Sequence, residues 1–294
     1  MILVFGSINL DLLFAMDALP VAGETRLAGA MRTAPGGKGA NQAVAAARDG
    51  AEVALYGAVG RDSFAGPAQA GLESAGVDTW GVAALDGPTG VASIVTDRAG
   101  RNAIAVAPGA NLLARQSAVP DEMLDSETIL LVQMECDPGE TARLIARARA
   151  AGARVILNLA PAVELPLETF RDTFLVVVNE REAAFLAAQA GCDASAKALA
   201  QSLATGVVRT LDSEKCEAHV AGEDFRIAAH RVDVVDTTAA GDCFVGVLAA
   251  GLDRGLDMRA ALSRASAAAA LACTKSGSQG SLPDAADIDA AINR

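Results

Sequence analysis

The stretch Asp236-Thr237-Thr238-Ala239-Ala240-Gly241-Asp242-Cys243-Phe244-Val245-Gly246 decides how the rest of this chain is read. Valines at 232, 234 and 235 precede it and predict a short extended run. The Ala/Leu/Val-rich segment 244–252 follows and predicts a helix. The small residues 239–241 therefore fall where extended chain turns into helix. The first N–H groups of a helix have no partner within it and lie at the positive end of its dipole. Such a turn suits an anion, provided that no bulky side chain blocks the approach. Asp242 stands at the edge of that cradle. A carboxylate is poor company for a phosphate unless its task is to take a proton from whatever attacks the phosphate. An ordinary first turn, with Asp242 complementing the dipole, is the alternative.

Working outward, size and composition narrow the field. The chain has 294 residues, 52% of them hydrophobic, enough for one large α/β domain with an appendage or for two domains. Only 3% are aromatic and the formal net charge is −12. That balance argues against nucleic acid or an anionic membrane as partner. Five scattered cysteines without a C-x-x-C pair, and only two histidines, point to structural thiols in a reducing, cytoplasmic setting and not to a His-rich metal site. The apolar N-terminus lacks a basic leader and meets Asp11 early, so it reads as a buried strand and not as a signal peptide. No apolar run approaches membrane-spanning length, and neither a Walker loop nor G-x-G-x-x-G occurs.

Residues 2–5 form a short apolar run ending at Gly6, which predicts a strand buried on both faces. Asn9 and Asp11 follow it. In open parallel sheets ligands gather beyond the carboxyl ends of strands, so both side chains suit a hydroxylated ligand, although a plain Asx turn accounts for them equally. Segment 12–33 has weak periodicity and breaks at Pro20 and Gly23, which suggests short strands of a separate sheet. Pro35-Gly36-Gly37-Lys38-Gly39-Ala40-Asn41-Gln42 then opens a helix running to Arg48. Lys38 and Asn41, three apart, share one helix face. Runs at 89–95 and 102–106 are β-like. Strands at 129–135, 155–161 and 174–178, with helices between them, deliver Glu135, Asn158, Asn179 and Glu182 to one rim.

The stretch 236–246, together with Gly-Gly-Lys-Gly-Ala-Asn-Gln-Ala-Val-Ala-Ala from Gly36, resembles the two signatures of the ribokinase-like, phosphofructokinase-B-type carbohydrate kinases. The similarity continues through 53–62 and covers nearly the whole chain. It implies an α/β fold of three layers, α/β/α, with a predominantly parallel central sheet and a small β lid. The large domain would comprise 1–11, 34–87 and 107–294, and the lid 12–33 and 88–106. It implies ATP-dependent phosphorylation of a sugar, foremost the 5-hydroxyl of D-ribose, with Asp242 as base and the amides of Ala239, Ala240 and Gly241 as anion hole. Asn9, Asp11, Gly37, Lys38, Asn41, Glu135 and Asp242 would hold the sugar. Asn179, Thr210, Ser213, Lys215 and Gly241 would meet the nucleotide, and Glu182 would reach Mg²⁺ through water. A monovalent cation such as K⁺ would bind Asp236, Thr238, Ala272, Lys275, Gly277 and Ser281, mostly through carbonyls; without the resemblance, 274–281 reads as a surface loop. A homodimer through the lid is also implied.

One departure stands out. The family's Thr-Leu-Gly-x-x-Gly loop is replaced by Thr210-Leu211-Asp212-Ser213-Glu214-Lys215, which loses both glycines and adds two acids. Unless Lys215 compensates, ATP binding suffers. The rival readings are therefore a kinase for another sugar or a nucleoside, and a sugar-binding sensor with a decayed nucleotide loop.

Overall fold

The computed structural model describes residues 1–98, 101–211 and 215–293, with Lys215 as backbone only. Strand β1 (Ile2–Phe5) sits inside a nine-stranded sheet with all four residues buried. Ile2 and Val4 belong to one hydrophobic core and Leu3 and Phe5 to another, which is the period-2 alternation of a strand covered on both faces. β2 (Asn9–Ala15) and β3 (Ala30–Gly36) leave that sheet. Helix α1 (Lys38–Arg48) returns the chain to β4 (Val53–Gly60), and α2 (Ala65–Ser74) leads to β5 (Asp78–Leu85). β6 (Gly90–Thr96) and β7 (Asn102–Ala107) complete a four-stranded sheet of order β3-β2-β6-β7. This is the separate small sheet expected from 12–33 and the β-like runs.

The alternation then becomes regular. β8 (Ile129–Val132), α3 (Pro138–Ala150), β9 (Arg154–Asn158), α4 (Leu167–Arg171), β10 (Leu175–Val178), α5 (Glu180–Ala190), α6 (Ala196–Leu203) and β11 (Gly206–Leu211) extend the large sheet. β12 (Lys215–Val220) and β13 (Glu223–Ala228) add an antiparallel edge. The order is β13-β12-β11-β10-β9-β8-β1-β4-β5, parallel from β11 to β5. Helices α7 (Ala240–Asp253), α8 (Met258–Ala272) and α9 (Ala285–Ile292) pack with α1 on one face, while α3, α5 and α6 cover the other. The result is the three-layer α/β/α architecture with a small second sheet.

One expectation fails. Residues 229–239 form no strand before α7, and Val234 and Val235 are exposed. Three valines in four residues carry β propensity, but the segment runs past the end of α8 instead of along a strand: the Val235 and Asp236 N–H groups donate to the Cys273 carbonyl (2.8 and 3.2 Å).

Two packing details fix the site. Gly246 on α7 faces α1 so closely that a Cβ would lie 2.4 Å from the carbonyl oxygen of Gln42. Any larger residue would push the helices apart. At the far end of α1, fully buried Asp49 is bracketed by Arg254 (2.6 Å) and Arg264 (2.5 Å), and Arg264 reaches on to Asp289 (2.5 Å). This charge cluster locks α1 to α7, α8 and α9.

Candidate active site

Five helices carry a side-chain N-cap: Asp137 for α3, Asn179 for α5, Ser195 for α6, Asp257 for α8 and Asp284 for α9. α1 and α7, which both start at the site, have none. The chain enters α1 through Gly37 at φ 91°, where a Cβ would press on the backbone of Ser7 and Asn9 at 2.8 Å. The first amides of α1 are taken up locally. Lys38 N–H donates to Glu135 Oε2 (3.0 Å), Gly39 N–H to Ser7 Oγ (3.2 Å), and Ser7 Oγ–H to Glu135 Oε2 (2.5 Å).

α7 differs. Ala239, its N-cap, lies in the left-handed region at φ 59°, which costs an L-residue about 1 kcal/mol. Among the described residues the N–H groups of Gly241 and Asp242 find no acceptor. A Cβ on Gly241 would meet nothing within 4 Å, so the start of α7 borders open space. That space belongs to a pocket of about 220 Å³ whose walls include Lys38, Asn179, Glu182, Thr210, Gly241 and Asp242.

Asp242 is buried yet held on both oxygens. Asn41 Nδ2 donates to Oδ2 (2.9 Å) and Gln42 Nε2 to Oδ1 (3.0 Å). Gln42 also donates to Asn158 Oδ1 (2.9 Å) and accepts from Gln133 Nε2 (2.7 Å). Gln42, Gln133 and Asn158 thus form an orienting network behind the carboxylate. The sequence reading placed Asn158 on the rim and gave no role to Gln133; no local signal marks either, because each is a single amide on a strand or just past its end.

The remaining sugar-side candidates converge here. Asn9 is buried, and its Oδ1 accepts from Asn111 Nδ2 (2.8 Å). Asn111, also buried, bonds the Ile8 backbone in both directions. Asp11 is 5% exposed. Burial pushes its carboxyl up to about 7, a bond from Ser278 opposes this, and the charges of Glu135 and Asp242 add to it. The Lys38 ammonium is stabilised by Asp242 first, against burial, so its pKa is raised and it stays charged. Lys38 therefore faces three carboxylates, those of Asp242, Glu135 and Glu182.

Asn179 and Glu182 form a capping box: Glu182 N–H donates to Asn179 Oδ1 (2.9 Å) and Asn179 N–H to Glu182 Oε2 (2.8 Å). The Asn-x-x-Glu spacing is thus accounted for as helix capping, while both side chains still line the pocket. Burial raises the Glu182 pKa, offset in part by the Asn179 bond and by Lys38. Among the described residues no cluster of three or more His, Cys, Asp or Glu could hold a metal. A Mg²⁺ here would depend on a sparse protein set, which suits an ion that keeps its waters and takes phosphate oxygens. Glu182 and Asp242 are the carboxylates in the pocket wall.

Asp236 joins two loops. Its Oδ1 accepts from Thr238 N–H (2.9 Å) and Oγ (2.6 Å), and its Oδ2 from Gly277 N–H (2.9 Å). Burial, which acts to raise its pKa, is outweighed by these bonds, so the value is lowered. Asp236, Thr238 and Gly277 are therefore in direct contact. Ala272 ends α8, Lys275 lies 3.9 Å from Asp287, and Ser281 bonds back to the Ser278 carbonyl. Of the six residues that the resemblance assigns to a monovalent cation, Asp236, Thr238 and Gly277 touch one another, and both Asp236 oxygens are held by protein donors. Ser213 and the Lys215 side chain, with the altered loop, lie outside the described residues.

The chain matches the pfkB family of carbohydrate kinases over residues 1–285. It is 34% identical to the ribokinase of Bacillus subtilis over 98% of each chain, and 31% identical to the deoxyribokinase of Salmonella typhi over 96% of this chain and 95% of that one. The crystal structure of Thermotoga maritima ribokinase superposes with TM-score 0.92 at 30% identity, covering 100% of this chain and 99% of that one. Arabidopsis thaliana ribokinase complexed with ribose and ATP superposes at 0.87 with 27% identity, covering 100% and 98%. Uncapped amides facing a pocket, a doubly held carboxylate beside them and a whole-chain match agree: this chain belongs to the pfkB family of carbohydrate kinases and is an ATP-dependent sugar kinase.

Proposed function

We propose that the sugar is D-ribose and that the product is D-ribose 5-phosphate. One observation carries the reading: the Asp242 carboxylate, oriented by Asn41 and Gln42, stands at the free amides of α7 and within the field of Lys38, Glu135 and Asp11. Asp11, Asn9, Asn41, Glu135 and the Gly37–Lys38 turn clamp the sugar hydroxyls. Asp242 takes the proton of the 5-hydroxyl as that oxygen forms its bond to the γ-phosphorus. The bond from that phosphorus to the bridging oxygen breaks, and ADP leaves. The N–H groups of Ala239, Gly241 and Asp242 and the Lys38 ammonium stabilise the charge on the transferring group, whereas the Ala240 N–H, expected to join them, donates to the Thr237 carbonyl (3.3 Å). Asn179 and Thr210 flank the nucleotide phosphates; Glu182 would hold a hydrated Mg²⁺, and Asp236, Thr238, Ala272, Lys275, Gly277 and Ser281 would hold K⁺. When bound, the two cations neutralise phosphate charge and stiffen the anion hole.

Segments 12–33 and 88–106 act as a lid that excludes water from the reacting phosphate. Ile104, Val106 and Met31 are exposed on the small sheet, which supports a homodimer through the lid. Five free cysteines support a reducing, cytoplasmic setting. The relatedness to a deoxyribokinase favours 2-deoxyribose as the second reading.

The test is an ATP-consumption screen with Mg²⁺ and K⁺ over ribose, deoxyribose, fructose, 2-keto-3-deoxygluconate and nucleosides. Ribose should give the highest kcat/KM. A higher value with another acceptor would replace the substrate. Sugar binding in calorimetry with no ATP turnover on any acceptor would refute the enzymatic reading and favour the sensor.

A further inference from the structure

We propose that Ser278 is a positioning residue for Asp11, holding that carboxylate from a turn whose other end is gripped by Asp236. The inference rests on the reading of Asp11 as a sugar contact. Ser278 is buried, with Oγ 2.8 Å from the Pro35 carbonyl oxygen and 3.4 Å from Asp11 Oδ2. Among the described residues no other side chain hydrogen-bonds Asp11. On the opposite side Gly36 leaves no slack: a Cβ there would lie 2.3 Å from both carboxylate oxygens.

A hydroxyl has one hydrogen, so it serves one of these two acceptors at a time. When Asp11 is ionised, the Ser278 O–H turns to the carboxylate. When Asp11 is protonated, its own O–H donates to Ser278 Oγ, and Ser278 donates on to Pro35. The side chain stays pinned in both states. Glu135, just past β8, and Asp242, on α7, are the charged groups that face Asp11, and both oppose its ionisation. Lys38 on α1 faces those same two carboxylates. The Ser278 hydroxyl is thus the group that favours the ionised, sugar-accepting form.

The turn itself is fixed from three sides. Gly277 N–H donates to Asp236 Oδ2 (2.9 Å), Ser276 Oγ lies 3.5 Å from the same oxygen, and Arg32 Nη2 on β3 donates to Ser276 Oγ (3.1 Å). Ser281 Oγ donates to the Ser278 carbonyl (2.8 Å). Three successive residues therefore connect the small sheet, Asp236 and Asp11.

The experiment uses the full chain. The Asp11 carboxyl carbon is followed by NMR against pH without ligand, assigned by its disappearance in Asp11→Asn. In Ser278→Ala its midpoint should rise by about one pH unit, because a bond to the charged form is lost. Ser278→Thr, which keeps the hydroxyl, should restore the original midpoint and guards against a folding artefact. Ribose calorimetry on the same samples should show affinity lower by roughly tenfold in Ser278→Ala and restored in Ser278→Thr, with ATP affinity unchanged. A midpoint that does not move in Ser278→Ala overturns the proposal. If the unaltered protein binds no ribose, the substrate reading fails instead, and the Asp11 midpoint still decides the role of Ser278.

Discussion

Asp11→Asn should make the ligand-free protein more stable, and increasingly so as the pH rises. The Asp11 carboxyl is raised from 3.8 to about 7 in the folded chain, with burial as the main cause. The folded state therefore holds this proton more tightly than the unfolded state does. Stability from this group is fully present below 3.8, declines as the pH rises to about 7 and is flat above that. At 1.36 kcal/mol per pH unit, the interval of roughly 3 units amounts to about 4 kcal/mol lost by pH 8.5. At pH 5 only the first 1.2 units or so have been traversed, about 1.6 kcal/mol. The neutral amide of the variant never ionises, so its advantage should grow by about 2.5 kcal/mol between pH 5 and pH 8.5. For a chain of this length about 2 °C of Tm corresponds to each kcal/mol, giving roughly 5 °C. Thermal melts of both proteins at the two pH values, without sugar or nucleotide, measure the difference directly. An equal Tm gap at both would show that Asp11 is not held protonated by its surroundings, and the account of its burial would be wrong. Sugar affinity should fall in the same variant, because a site built for binding is not optimal for stability.

Asp242→Asn should lower kcat by about 10² to 10⁴ while sparing ribose binding, read by steady-state kinetics and calorimetry; near-normal turnover would remove Asp242 as the base. Gly36→Ala places a methyl 2.3 Å from both Asp11 oxygens and should cost about 100-fold in kcat/KM for sugar without altering the ATP KM. Asp49→Ala removes the shared partner of Arg254 and Arg264, leaving Arg264 with Asp289 alone, and should destabilise by about 3 kcal/mol, seen as a drop in denaturant midpoint at constant m. Ile104→Asp on the exposed lid face should halve the mass measured by light scattering if the lid pairs two copies.

Local order was legible from the residues alone. The apolar run at 2–5 has the length and composition of a strand buried on both faces and packs as one, while the strand expected over 129–135 is extended and buried only over Ile129–Val132. α1 begins at Lys38 and ends at Arg48, as the glycine run and the following alanines imply. The two signatures also named Asn41 and Asp242, because their types and neighbours are informative within a dozen residues. The valines at 232–235 misled, since β propensity needs a strand alongside and this segment instead bonds the Cys273 carbonyl at the end of α8.

What the chain order could not contain is the set of contacts made across it. Asn41 meets Asp242 over 201 residues, and Ser278 meets Asp11 over 267. Gln133 and Asn158 gain a role only when β8 and β9 lie side by side behind α1. The raised pKa of Asp11 likewise depends on burial and on two carboxylates from distant segments. The sequence by itself determined periodicity, turns and the chemistry of each side chain, because these are properties of a few adjacent residues. Only tertiary structure decided which amides hold Asp242 and which hydroxyl holds Asp11, because desolvation and hydrogen bonding depend on distances in space.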